Sequence, residues 1–182
     1  MKFNFQALKA IYLHEMDRFR RTLTQSLLSP VLSTSLYFIV FGSVIGGYVQ
    51  KIDGISYGSY IVPGLLMLTL LTQSISNTSF GIFFPKFNGT IYEILAAPIS
   101  TFEVVLAFVG AGATKTLIVG VMIFITSMFF VDVEVKYPLL MIFLLVLVSF
   151  TFALFGFLIG LMSTNFEQMS ICLLYTSPSP RD

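Results

Sequence analysis

The sequence predicts an all-α fold, a polytopic membrane helix bundle made of an N-terminal amphipathic interfacial helix and four transmembrane helices. Three observations predict it. Hydrophobic residues make up 56% of the 182 positions and charged residues only 10%, whereas a soluble domain usually carries about 25% charge. Mean hydropathy is +0.91. The apolar residues gather into long runs of spanning length, separated by short polar stretches. A formal net charge of +1 lacks the basic excess of a nucleic-acid surface. A single cysteine, Cys172, precludes an intrachain disulfide.

The first segment, residues 3–29, is not a signal peptide, because charges continue to Arg21 where a short apolar core should stand. Leu8, Ile11, Tyr12, Met16, Phe19, Leu23 and Leu27 recur at helical spacing. Lys9, Asp17, Arg18, Arg20, Arg21 and Gln25 fall largely on the opposite face. That pattern fits a helix in the membrane interface, its basic side chains reaching phospholipid headgroups. His14, the sole histidine, belongs to this helix and reads as solvated or headgroup-facing.

The first span covers about residues 31–49, with Pro30 suited to a helix start. Gly42 and Gly46 have the spacing that lets helices approach closely. The second span, about 58–80, is more polar, carrying Thr69, Thr72, Gln73, Ser74, Ser76, Asn77 and Ser79. Hydroxyl and amide groups in lipid need partners, so this face looks at protein or a cavity. It lines a substrate path or glues helices together, and the second use is the simpler. Residues 81–101 form a polar loop in which Pro85, Gly89 and Pro98 interrupt any continuous span.

The third span, about 102–131, contains Lys115. Eleven residues beyond Val104, it lies about 16 Å in, close to the bilayer midplane. An ammonium there costs about 3 kcal/mol on insertion scales, so it faces the bundle or water. Two roles fit: contact with an anionic substrate group or an interspan carboxylate, or a structural lysine that snorkels or bridges helices. Gly112, Thr116 and Gly120 form a small-residue stripe beside it. Gly110–Thr116 is superficially similar to a nucleotide-binding loop, but Thr114 stands where a glycine must precede the lysine, and no strand leads into it. The fourth span is about 138–162, with Gly156 and Gly160 at close-packing spacing.

Basic residues set the orientation. Lys2, Lys9, Arg18, Arg20, Arg21 and Lys86 lie on one side against Lys51 and Lys136 on the other, which places the N-terminus and the 81–101 loop in the cytoplasm of a multi-pass cell (inner) membrane protein. An intramembrane enzyme would need a nucleophile and base, or clustered His and carboxylates, inside the spans. An ion-coupled secondary transporter would need a carboxylate opposite Lys115, and the four spans offer none.

Leu36–Gly47, Tyr60-Ile-Val-Pro-Gly-Leu-Leu66 and, above all, Ile91-Tyr-Glu-Ile-Leu-Ala-Ala-Pro-Ile-Ser100 resemble the permease subunit of type 2 ABC exporters. The order and spacing of these segments carry the resemblance, from the N-terminal helix to Gln168. It implies six spans per permease, a second permease copy as partner, and a separate ABC ATPase subunit that binds ATP, leaving no cofactor in this chain. It also implies that Ile91, Tyr92, Glu93, Ile94, Leu95, Ala96 and Pro98 form a coupling helix seated in that ATPase, with Glu93 paired to a basic residue. Substrates exported by such permeases include drugs, lipids, polysaccharides and other amphiphiles. Against the family pattern, two spans are expected beyond the C-terminus, and residues 172–182 read as a non-native tail whose last ten residues resemble sequencing-adapter read-through.

Overall fold

A computed structural model describes residues 4–40, 51–52, 55–131 and 137–176. Helix α1 (Phe5–Arg21) starts at Asn4, whose side-chain oxygen accepts from the Ala7 N–H at 3.3 Å. It ends at Thr22, where φ −105° and ψ 15° leave the helical region, and α2 (Leu23–Ile39) begins at once. The first two helices therefore divide at Thr22, whereas the sequence places the boundary at Ser29–Pro30. The Thr22 hydroxyl reaches the Arg18 and Phe19 carbonyls at 3.3 Å, competing with the backbone ladder for them. Arg18, Arg20 and Arg21 put cations at the C-terminal end of the α1 dipole. Pro30 sits inside α2, and Pro30, Thr34 and Phe38 make its buried stripe at four-residue steps. Gly42, Gly46 and the rest of the first span past Val40 lie outside the described residues.

Lys51–Ile52 (β1) and Ile55–Ser56 (β2) pair antiparallel, Lys51 opposite Ser56. They lead into α3 (Tyr57–Phe87). This helix continues seven residues past Phe80 and passes through Pro63 and Pro85. An end near Phe80 is the sequence expectation, because Pro85 removes a ladder hydrogen bond. Aromatic packing instead holds the last turns together: Phe80 stacks on Phe84 and Phe83 on Phe87, each at 5.9 Å, and Phe166 closes on Phe80 and Phe83 at 6.0 Å. Gly89, with φ +78°, then turns the chain in the left-handed region that a Cβ disfavours.

Four further helices follow: α4 (Ile91–Ala96), α5 (Thr101–Phe130), α6 (Pro138–Met162) and α7 (Phe166–Thr176). Among the described residues, stretches of α3, α5 and α6 are long and apolar enough to cross a membrane. Helix α7 includes Cys172–Thr176, and residues 177–182 lie outside the described set.

Helix α5 is the axis. Helices α1, α2, α3 and α6 all pack on it, and α3 also packs along α6. Helix α3 runs parallel to α6, Ser74 meeting Ser149 and Ser79 meeting Gly156. It runs antiparallel to α5, Thr78 meeting Gly112 and Leu70 meeting Gly120. Two hydroxyls of the polar face of α3 bridge helices, Ser74 donating to the Ser149 carbonyl at 2.6 Å and Ser79 to the Gly156 carbonyl at 2.7 Å, while Thr69 and Thr72 bond back to carbonyls of α3 itself. Close approach requires glycine at 156, since a Cβ there would sit 2.5 Å from the Ile75 carbonyl oxygen. The small-residue stripe of α5, from Gly112 through Thr116 to Gly120, faces α3. Gly110–Thr116 is continuous helix, with Thr114 and Thr116 bonding back to the Gly110 and Gly112 carbonyls.

Candidate functional site

Helix α4 has two faces with opposite fates. Ile91, Ile94 and the following Ile99 pack against the cluster of Ile82, Val104 and Phe108 at one end of the bundle. Tyr92 is 73% exposed and Leu95 62%, and Glu93, Ala96 and Pro98 are also exposed. Of the residues assigned to coupling by resemblance, two therefore anchor the helix and five are displayed. The display carries an aromatic ring, a carboxylate and an aliphatic side chain, which are contact chemistries for another protein surface.

The helix is short, so its orientation depends on what holds its ends. Gly89 fixes the approach. At the far end Ala97 is extended with ψ 150°, as the residue before Pro98 must be. Glu103 then ties three elements together. Its carboxylate accepts from the Ser100 backbone N–H at 2.9 Å, the reach-back half of a capping box at the start of α5, and from the backbone N–H of Asn4 at the start of α1. Glu103 is 2% exposed, and the α5 N-terminal dipole favours a carboxylate there.

A second tie lies further along the same seam. Lys115 donates to Glu15 Oε2 at 2.7 Å, with both side chains buried. Arg18 reaches the same oxygen at 2.9 Å. One turn away the Tyr12 hydroxyl donates to Thr114 Oγ1 at 3.1 Å. The contacts Asn4–Glu103, Tyr12–Thr114 and Glu15–Lys115 advance together, so α1 runs parallel along the first half of α5 and not across it, as a helix lying in the plane of the membrane interface would. The carboxylate missing from the spans comes from the N-terminal helix. Lys115 meets neither an interspan acid nor solvent, and its partner Glu15 lies beside Gly81 in the last turns of α3, so the lysine stands toward that end of α3 and not at the bilayer midplane expected from its place in α5.

A third tie closes the end of α6. Lys86, at the close of α3, donates to the Leu161 carbonyl at 2.6 Å and the Ser163 carbonyl at 2.8 Å. Carbonyls at a helix C-terminus lack helical partners, and a cation suits the negative end of the dipole.

Sequence reasoning missed Glu15 and Glu103. Glu15 had a signal: it stands four residues from both Ile11 and Phe19, inside the apolar stripe of α1. A carboxylate on that stripe asks for a buried cation. The spacing from Ser100 to Glu103 is likewise a capping-box pattern readable from the chain. No group of three or more His, Cys, Asp or Glu side chains suited to a metal occurs among the described residues.

Apolar helices packed through glycines, with a small anchored helix displayed at one end, define a polytopic membrane helix bundle. Residues 6–176 match the family model described as ABC-2 type transporter, and the chain belongs to that family. It is 37% identical over 165 residues to the inner membrane transport permease YadH of Escherichia coli K12, and equally to that of Shigella flexneri. The alignment covers 91% of this chain and 64% of those proteins, so the chain spans under two thirds of their length. No solved structure matches it.

Proposed function

We propose that this chain is a membrane-embedded part of the permease of an ATP-driven exporter, working in the cytoplasmic membrane with its N-terminus and α4 on the cytoplasmic side. A separate ABC ATPase subunit binds and hydrolyses ATP, and a second permease copy completes the transporter. The chain is a transport subunit without an ATP site of its own. Its cargo belongs to the amphiphilic class: drug-like molecules, lipids or polysaccharides.

The observation that carries this reading is the displayed face of α4, Tyr92, Glu93 and Leu95, on a backbone anchored by Ile91 and Ile94. Basic residues gathered in the last turn of α1 support the orientation. The mechanism is mechanical. ATP closes the ATPase pair, α4 moves with its cleft, and the displacement passes to α5 and α1 as one body because Glu103 and the Glu15–Lys115 pair lock them together. On this account Lys115 is a positioning residue, its ammonium already held by Glu15.

Glu93→Arg tests the reading. The variant inserts into membranes at the wild-type level, because Glu93 is exposed and outside the spans. Co-purification of the ATPase and its stimulation are lost. A fully stimulated ATPase that still co-purifies contradicts the proposal. Gradient-driven flux without ATP in proteoliposomes would instead favour an ion-coupled carrier.

A further inference from the structure

Between α1 and the last turns of α3 lies an open groove of about 510 Å³ that the coupling mechanism leaves unused. Its lining includes His14 and Arg18 from α1, Phe80 and Phe84 from α3, and Asn88 and Thr90 from the turn before α4. Charge is uneven in the cluster behind Arg18. Glu15 is one carboxylate shared by two cations, Lys115 and Arg18, so the cluster keeps an excess positive charge. That excess faces outward, because Lys115 is buried while the Arg18 side chain is 36% exposed. Arg18 lies over the Phe84 ring at 5.9 Å, which holds the guanidinium along the groove wall.

The groove also lies at a particular depth. Phe80 stands 23 residues into α3, about 35 Å from its start, beyond the roughly 30 Å of the hydrocarbon layer. An exposed guanidinium, aromatic walls and amide and hydroxyl donors at headgroup level complement a phosphodiester with an acyl chain attached. A guanidinium suits phosphate geometry. We propose that this groove binds the phosphate of an anionic glycerophospholipid, with Arg18 and His14 on the headgroup and Phe80 and Phe84 against its glycerol and upper chain. The inference rests on the reading of α3 as a membrane span.

The sequence contains no tryptophan, so Phe84→Trp installs a single fluorescent reporter in the groove. Phe143→Trp, at a position of α6 that is 64% exposed, reports ordinary lipid contact. Both are reconstituted with brominated phosphatidylglycerol or brominated phosphatidylcholine as quencher. The proposal expects about a fivefold preference for the phosphatidylglycerol in the groove reporter, from attraction of an anionic lipid to the basic residues, and none in the α6 reporter. Arg18→Gln with His14→Gln abolishes the preference, and Arg18→Lys retains most of it. Quenching of the α6 reporter stays unchanged throughout, as the check on folding. Equal quenching of the groove reporter by the two lipids, or a preference that survives the double variant, overturns the proposal. Loss of the preference in millimolar inorganic phosphate reassigns the groove to a soluble anion and overturns it too. Absence of quenching in both reporters removes the membrane reading, and the lipid site with it.

Discussion

The α3–α6 seam and the α1–α5 seam solve the same problem with different chemistry. In the first, Ser74 and Ser79 donate to carbonyls of α6 while Gly156 lets the backbones meet. In the second, Glu15, Lys115 and Glu103 join helices through buried charge. Two apolar faces gain little by meeting when the solvent is itself hydrocarbon, so the first seam relies on close packing and neutral hydrogen bonds. Its contacts are many, weak and spread along the helix. The second seam concentrates its energy at two points, and each point loses heavily if one partner is removed. Distributed contacts suit a fixed scaffold. Point contacts suit a joint that holds α1 and α5 in one geometry, as the proposed coupling requires.

The largest effect expected from breaking this contrast is at Glu15. Glu15→Ala leaves Lys115 buried without its carboxylate and close to Arg18, and should cost about 3–5 kcal/mol. Glu15→Leu with Lys115→Met, which removes both charges, should recover most of that loss. Thermal unfolding of the double variant and its two single variants in detergent, read as a double-mutant cycle, measures the coupling. If the two single changes simply add, the point-contact description of this seam is wrong.

Gly156→Ala comes next. Its Cβ would lie 2.5 Å from the Ile75 carbonyl oxygen and 2.9 Å from the Ile75 Cα, so α6 must move away from α3. Overpacking of this kind costs about 1–3 kcal/mol, and size-exclusion profiles before and after heating should show the loss. Ser79→Ala sits at the small end, at about 0.6 kcal/mol, the average for a neutral hydrogen bond between membrane helices. A loss above about 2 kcal/mol in the same unfolding assay would show that the seam is not distributed after all.

Much of the bundle was legible because hydropathy and spacing report directly on lipid. The runs that become α3, α5 and α6 stand out by length alone, and the Gly112–Thr116–Gly120 stripe marks a close-packed face whatever its partner. Helix ends were less legible, for opposite reasons at two prolines. Pro30 reads as a start and Pro85 as a stop, yet both lie inside helices. Tertiary packing outweighs the single lost hydrogen bond, through the buried stripe of α2 and the Phe80–Phe87 ring cluster of α3. The actual break at Thr22 has only a hydroxyl to announce it. Lys115 was visible as a lone charge in a span, but its partner was not. Glu15 lies a hundred residues away, and pairing across that distance follows from the fold and not from local pattern.

The displayed face of α4 divides the site residues in a way the sequence alone did not: Ile91 and Ile94 inward, Tyr92, Glu93 and Leu95 outward. A photocrosslinking amino acid placed in turn at Tyr92, Leu95 and Ile94, in protein co-expressed with the ABC ATPase proposed as its partner, tests the proposed role of this face most directly. The account predicts adducts with the ATPase from positions 92 and 95 and little or none from 94. Adducts from 94 with none from 92 or 95, or no adduct from any of the three, would contradict it.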